Sequence, residues 1–229
     1  MRTFLAFIAL TASVVAVPVA SQDARGEAGA DRSLAAAAFE VRQGIAVYGP
    51  FRVLDTGRAA LVDATDEASV GDFEAMLRDH PGIATLELVE CPGTDDDVAN
   101  LRLGRLIRAK GLATHVPASG SVRSGAVELF LAGTERLIDD GAEFAVHAWR
   151  DTEGREPADY AADSPYNRAY VDYYREMGLA RPQAFYDMTN AVPHDGARWL
   201  TAQDMRAWLG EPRDGDVTVA APQLAYSKL

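Results

Sequence analysis

Ser124 stands where a run of small residues turns into an apolar segment, Ser119-Gly-Ser-Val-Arg-Ser124-Gly-Ala-Val-Glu-Leu-Phe-Leu-Ala-Gly133. A serine at the mouth of a helix has two jobs open to it. It can cap the helix, its oxygen accepting a backbone N–H of the first turn. It can instead act as a nucleophile, where free N–H groups and the helix dipole favour a developing negative charge. Two other stretches hold residues suited to chemistry: Cys91-Pro-Gly-Thr94, a turn after an apolar run, and Phe144-Ala-Val-His147, an apolar run that ends in an imidazole.

The elements around these stretches alternate in type. Ile45–Tyr48 and Phe51–Leu54 are short β-like runs about Gly49-Pro50, and Leu61–Asp63 is a further strand candidate. Val70, Phe73, Met76 and Leu77 share one helical face within 66–79, which Pro81-Gly82 stops. Ile83–Val89 reads as a buried strand, Val98–Lys110 as a helix and Ala113–Pro117 as a strand. The Ser124 segment follows, then a strand over Ala142–His147. Strand–helix–strand alternation of this kind implies a mainly parallel sheet with helical crossovers. Sites in such sheets lie beyond the carboxyl ends of the strands, so the turns at 92–97, 118–124 and 148–153 are expected to cluster.

Beyond 147 comes a polar loop, 151–165, and then a helix over Asn167–Met177 whose Tyr170, Tyr173, Tyr174 and Met177 form a core-facing stripe. Pro182–Thr189 is a short helix. A last strand end at Trp199 leads into a helix capped by Thr201, with Asp204 in its first turn. Val217–Ala220 is one more strand candidate, in a tail over 211–229.

Composition narrows the classes of function. The 229 residues are 48% hydrophobic, enough for one substantial core. A net charge of -12 and a pI near 4.7 argue against a nucleic-acid groove. Cys91 is the single cysteine, so neither an intramolecular disulfide nor a thiolate metal site can form. His80, His115, His147 and His194 show no zinc-binding spacing. Cys91-Pro-Gly-Thr94 lacks the glycines and the lysine of a phosphate loop, and no cofactor is expected. At the N-terminus, Arg2 precedes an uncharged run to Val19, and small residues follow at Val19-Ala-Ser21. That is the layout of a secretory signal peptide over 1–21. A flexible mature N-terminus over 22–43 and a folded domain over 44–210 would follow, with no membrane span after cleavage and a periplasmic or secreted location.

Taken together, the Pro-Gly turn after a strand, the Gly-x-x-x-Ser124 opening a helix, the following Leu129–Gly133 and the strand ending in His147 resemble the Clp protease/crotonase superfamily, in particular its secreted bacterial branch. The resemblance runs over 44–210 and is strongest over 86–147, including Leu103-Gly-Arg-Leu-Ile-Arg-Ala-Lys-Gly-Leu112. It implies an α/β fold built as a repeated ββα spiral with a mainly parallel sheet. Ser124 then matches the nucleophile, His147 the general base, and the Gly125 and Thr94 backbone N–H groups the oxyanion hole. The family's acid falls at Ala197 by direct count, and Asp195 is the nearest carboxylate. A serine hydroxyl needs such a base to become nucleophilic, and an imidazole titrating near neutrality suits the task.

The activity implied is that of a secreted serine hydrolase, a peptidase by resemblance, acting on a peptide or small acyl substrate. Assembly into an oligomer is allowed. Several positions depart from the family pattern: Thr94 for the second glycine, Cys91 for serine, a bulky Arg123, Val122 and Ala126 where cysteines are common, and Glu128 one turn after Ser124. They favour an alternative in which the fold and cleft serve as a catalytically inactive binding or accessory module.

Overall fold

The computed structural model describes residues 43–210. The expected signal peptide, nearly all of the N-terminal segment and the C-terminal tail with its strand candidate lie outside the described residues.

The chain opens with an antiparallel meander, β1 (Ala46–Tyr48), β2 (Phe51–Val53) and β3 (Arg58–Leu61). Helix α1 (Ser69–Asp79) crosses over, burying Phe73 and Met76. From there the pattern is two strands and then a helix, repeated: β4 (Thr85–Leu88), β5 (Glu90–Cys91), α2 (Asp97–Ala109); then β6 (Ala113–Val116), β7 (Ser121–Arg123), α3 (Ala126–Leu131); then β8 (Arg136–Ile138) and β9 (Glu143–Val146). The first strand of each unit joins a six-stranded sheet ordered β1-β2-β3-β4-β6-β8. The second joins a four-stranded sheet ordered β10-β9-β7-β5, in which β10 is Arg198–Thr201. Pairings are parallel from β3 through β4 and β6 to β8, and from β5 through β7 to β9. This is the α/β, mainly parallel ββα spiral that the resemblance implied.

The chain changes sheet where its backbone cannot continue a strand. Pro117 follows β6 and has no N–H to donate. Three residues on, a β-carbon at Gly120 would stand 2.6 Å from Val116 Cγ1 and 2.9 Å from Leu88 O, so only glycine fits. One expectation is corrected here and one strand is added. The stretch before Ser124, read as a small-residue turn, contains strand β7. Strand β8 stands where the sequence showed no strand pattern. Each is a three-residue strand, too short to show a period of two.

Helices α4 (Pro165–Glu176), α5 (Pro182–Thr189) and α6 (Ala202–Leu209) complete the fold. The expected cap of α6 is present: Thr201 Oγ1 accepts from the Asp204 N–H, and Asp204 accepts from the Thr201 N–H. The aromatic stripe of α4 is core as expected, with Tyr173, Tyr174 and Met177 buried. Gly104 on α2 leaves room for Tyr173, whose hydroxyl would stand 1.9 Å from any β-carbon there. Among the described residues no helix is long and apolar enough to cross a membrane.

Candidate active site

Three adjacent parallel strands deliver the three candidate stretches to one place. β5 ends at Cys91, just before Pro92–Thr94. β7 ends at Arg123, just before Ser124. β9 ends at Val146, just before His147. Their register pairs Cys91 with Val122 and Arg123 with Ala145, so the three carboxyl ends lie side by side. Beyond them a cleft of about 120 Å³ is lined by Thr94, Gly125, Ser124 and His147, among others. The clustering expected of an α/β sheet is thus realised on the smaller of the two sheets.

Ser124 is the one non-glycine with positive φ among the described residues, at 50°. The left-handed conformation is costly for a side-chain-bearing residue and persists only where the surroundings impose it. Here the Ser124 N–H donates to Ala145 O on β9 (2.9 Å), and Ser124 O accepts from the Val127 N–H (2.9 Å). The backbone therefore turns sharply from β7 into α3. The helix cap is Gly125, with no side-chain cap bond. Of the two jobs open to Ser124, capping is not the one it performs, and its hydroxyl bonds to no described residue.

The Pro-Gly turn sits directly on this junction. Gly93 has φ 134°, and a β-carbon there would stand 2.9 Å from Ser124 Cβ. Thr94, in the second glycine position, has no positive φ and so tolerates a side chain. Its Cγ2 would stand 2.5 Å from a β-carbon on Gly125, which makes the glycine at 125 obligatory. A one-residue bridge to Thr65 fixes the turn: the Thr65 N–H donates to Gly93 O (3.1 Å) and the Asp95 N–H to Thr65 O (2.8 Å). In that arrangement the Thr94 and Gly125 N–H groups both donate to no described residue. Two free backbone donors thus flank Ser124, at the start of α3.

Asn100 was not singled out by sequence reasoning. It is 2% exposed on α2; its Nδ2 donates to Gly125 O (2.6 Å) and its Oδ1 accepts from Thr65 Oγ1 (3.0 Å). It locks the Pro-Gly turn and the start of α3 into one unit. A signal existed, since Asn100 shares a helical face with Leu103, Gly104 and Ile107, where a polar residue must find partners.

His147 is half-buried, and its Nδ1 lies 2.9 Å from Ala148 O. His194 Nδ1 lies 3.1 Å from the same oxygen, and the two rings meet edge to face at 4.7 Å. A carbonyl can only accept, so each Nδ1 carries a proton, and in the neutral ring the lone pair is then on Nε2. That is the tautomer a general base requires, and a backbone oxygen orients it. No hydrogen bond joins His147 to Ser124. Asp195 does not reach His147: its carboxylate is 84% exposed and pairs with Arg150 Nη1 at 3.0 Å. The loop that places His194 against Ala148 turns the next side chain outward, so the acid expected at Asp195 is not in the cleft.

Two departures from the family pattern take defined places. Arg123 lies across the small sheet, paired with Glu90 and donating to Ser121 Oγ (2.8 Å), which in turn donates to Glu143 (2.9 Å). It does not line the cleft. Glu128, 7% exposed, lines the cleft and accepts from Tyr174 Oη (2.6 Å). Burial pushes its carboxyl up to about 7, against the Tyr174 hydrogen bond. Asp97, at the start of α2, also lines the cleft, and burial holds it above the usual carboxylate range, opposed by the nearby Tyr170 hydroxyl and the two imidazoles. Among the described residues no cluster of His, Cys, Asp and Glu could hold a metal ion. Cys91 is buried and takes no part; burial pushes its thiol well up.

No family model matches this chain, and no curated protein matches it. A solved structure that does match is a mutant of a membrane-bound stomatin-specific protease in complex with a substrate peptide. The likeness has 12% sequence identity, covers 65% of this chain and 69% of that one, and has a TM-score of 0.44.

Proposed function

We propose that this chain is a serine hydrolase that cleaves peptides by acyl transfer at Ser124, and that it works outside the cytoplasm after removal of residues 1–21. One observation carries the reading. A serine in the left-handed conformation at a strand–helix junction, with its hydroxyl unengaged, stands between two backbone N–H groups that no described residue uses. A strained, unengaged hydroxyl that lines a cleft beside preset donors is the arrangement acyl transfer needs.

In the proposed reaction Ser124 Oγ attacks the substrate carbonyl carbon, and its proton passes to His147 Nε2. The carbonyl π electrons move to oxygen, and the Thr94 and Gly125 N–H groups stabilise the resulting anion. Collapse expels the amine, which takes the proton from His147 and leaves an ester on Ser124. Water, deprotonated by the same imidazole, then releases the acid and restores the hydroxyl. Pairing of Ser124 with His147 is required at the moment of attack, and hydrogen bonds of this kind tighten in the substrate complex.

A fluorophosphonate probe on the full mature chain tests this. Labelling of the wild type that is lost in Ser124→Ala and strongly slowed in His147→Ala supports it. A folded wild type that takes no label removes it. Sequencing the N-terminus of the exported protein tests the location; an intact residue 1 would count against it. The missing Ser124–His147 hydrogen bond favours a second reading, a binding module that keeps the cleft without turnover, and the same labelling decides between the two.

A further inference from the structure

The cleft extends past Ser124 into a recess between α2, α3, α4 and the end of α5. Its walls carry Asp97 from α2, Glu128 from α3, Tyr170 and Tyr174 from α4, and Asn190 just after α5. Acceptors dominate it. Asn190 is held in one orientation, because its Nδ2 donates to both Tyr186 O (2.8 Å) and Thr189 Oγ1 (3.1 Å). That leaves Asn190 Oδ1 buried and without a partner among the described residues, while the Tyr170 hydroxyl is turned to the Asp97 carboxylate and keeps its oxygen as an acceptor. A buried acceptor without a partner is costly, so a recess lined by Asn190 and two carboxylates suits something that supplies donors. The one cation lining the cleft, Arg150, is drawn outward to Asp195.

We propose that this recess is a subsite for a primary ammonium group, the side chain of a lysine at the residue that donates the scissile carbonyl. An ammonium offers three N–H donors and no acceptor. Asn190 Oδ1, the Glu128 carboxylate and the Asp97 carboxylate are acceptors from three different elements, and the Tyr170 oxygen is a fourth. Glu128 lies one helical turn beyond Ser124 and lines the same cleft, so the recess adjoins the proposed nucleophile. Burial raises both carboxyls, and the charge of Asp97 adds to the rise at Glu128; a cation in the recess would offset both effects. This specificity rests on the hydrolase reading, but binding can be read without turnover.

Calorimetry on the full mature chain would compare N-acetyl-lysine amide with N-acetyl-norleucine amide, which differ only by the ammonium. The lysine ligand is expected to bind at least about tenfold tighter, a charge-assisted contact's worth. Glu128→Gln and Asp97→Asn, on separate helices, should each reduce that ratio severalfold. If one variant misfolds, the other carries the comparison, and the wild-type ratio needs neither. Equal binding of the two ligands would mean that the acceptors serve only water, and would overturn the proposal. A labelled chain with no lysine preference removes the subsite and keeps the hydrolase. A chain that prefers lysine but takes no label keeps the subsite and removes the hydrolase.

Discussion

Gly93 and Ser124 are in contact so close that a β-carbon on Gly93 would stand 2.9 Å from Ser124 Cβ and 3.3 Å from its Oγ. The Pro-Gly turn is therefore the wall against which the proposed nucleophile is held. Its own φ of 134° is open to few residues besides glycine.

Gly93→Ala tests that wall. Strain at this φ is expected to lower stability by roughly 1–3 kcal/mol. The added methyl should also displace Ser124 and slow fluorophosphonate labelling about a hundredfold, since small misplacements of reacting groups are costly. Urea unfolding alongside labelling separates the two effects. Labelling at the wild-type rate would show that the contact does not position the hydroxyl.

Glu128 gives a prediction in pH. Its folded value, about 7, lies above the 4.5 of a free glutamate, so between those values the folded state binds the extra proton. Stability from this group is fully present below about 4.5 and is lost as pH rises through 7. The loss is on the order of 3 kcal/mol. Glu128→Gln keeps an acceptor for Tyr174 and removes the titration. It should match the wild type in urea unfolding at pH 4 and exceed it at pH 8. A variant that is no more stable at pH 8 would place Glu128 in contact with solvent.

Asp195→Asn should leave the labelling rate unchanged. Its carboxylate is in a solvent-exposed pair with Arg150, and such pairs contribute under roughly 1 kcal/mol. A large loss of labelling would mean that the 190–196 loop swings Asp195 onto His147 during reaction.

Much of the framework was legible in the residues. Helices over 69–79 and 97–109 follow from apolar spacing and their Pro or Gly stops, and the cap at Thr201 with Asp204 from two side chains three positions apart. These are local relationships, settled within one or two turns of chain. Ser124 and His147 were legible through the motifs that surround them. Asn100 and the recess were not, because their partners come from elements far apart in sequence: Asn100 meets Gly125 at a separation of 25 residues and Tyr174 meets Glu128 at 46.

By itself, then, the sequence determined the alternation of elements, the turn residues and the candidate nucleophile and base, because helical periodicity, glycine and proline act locally. The tertiary structure decided the rest. Sorting the strands into two sheets laid the ends of β5, β7 and β9 side by side. The position of the loop carrying His194 and Asp195 gave the orientation of His147 to a backbone carbonyl and left the acid in solvent. Which carboxylates line the cleft with Ser124 depends on helix packing, and no spacing along the chain encodes it.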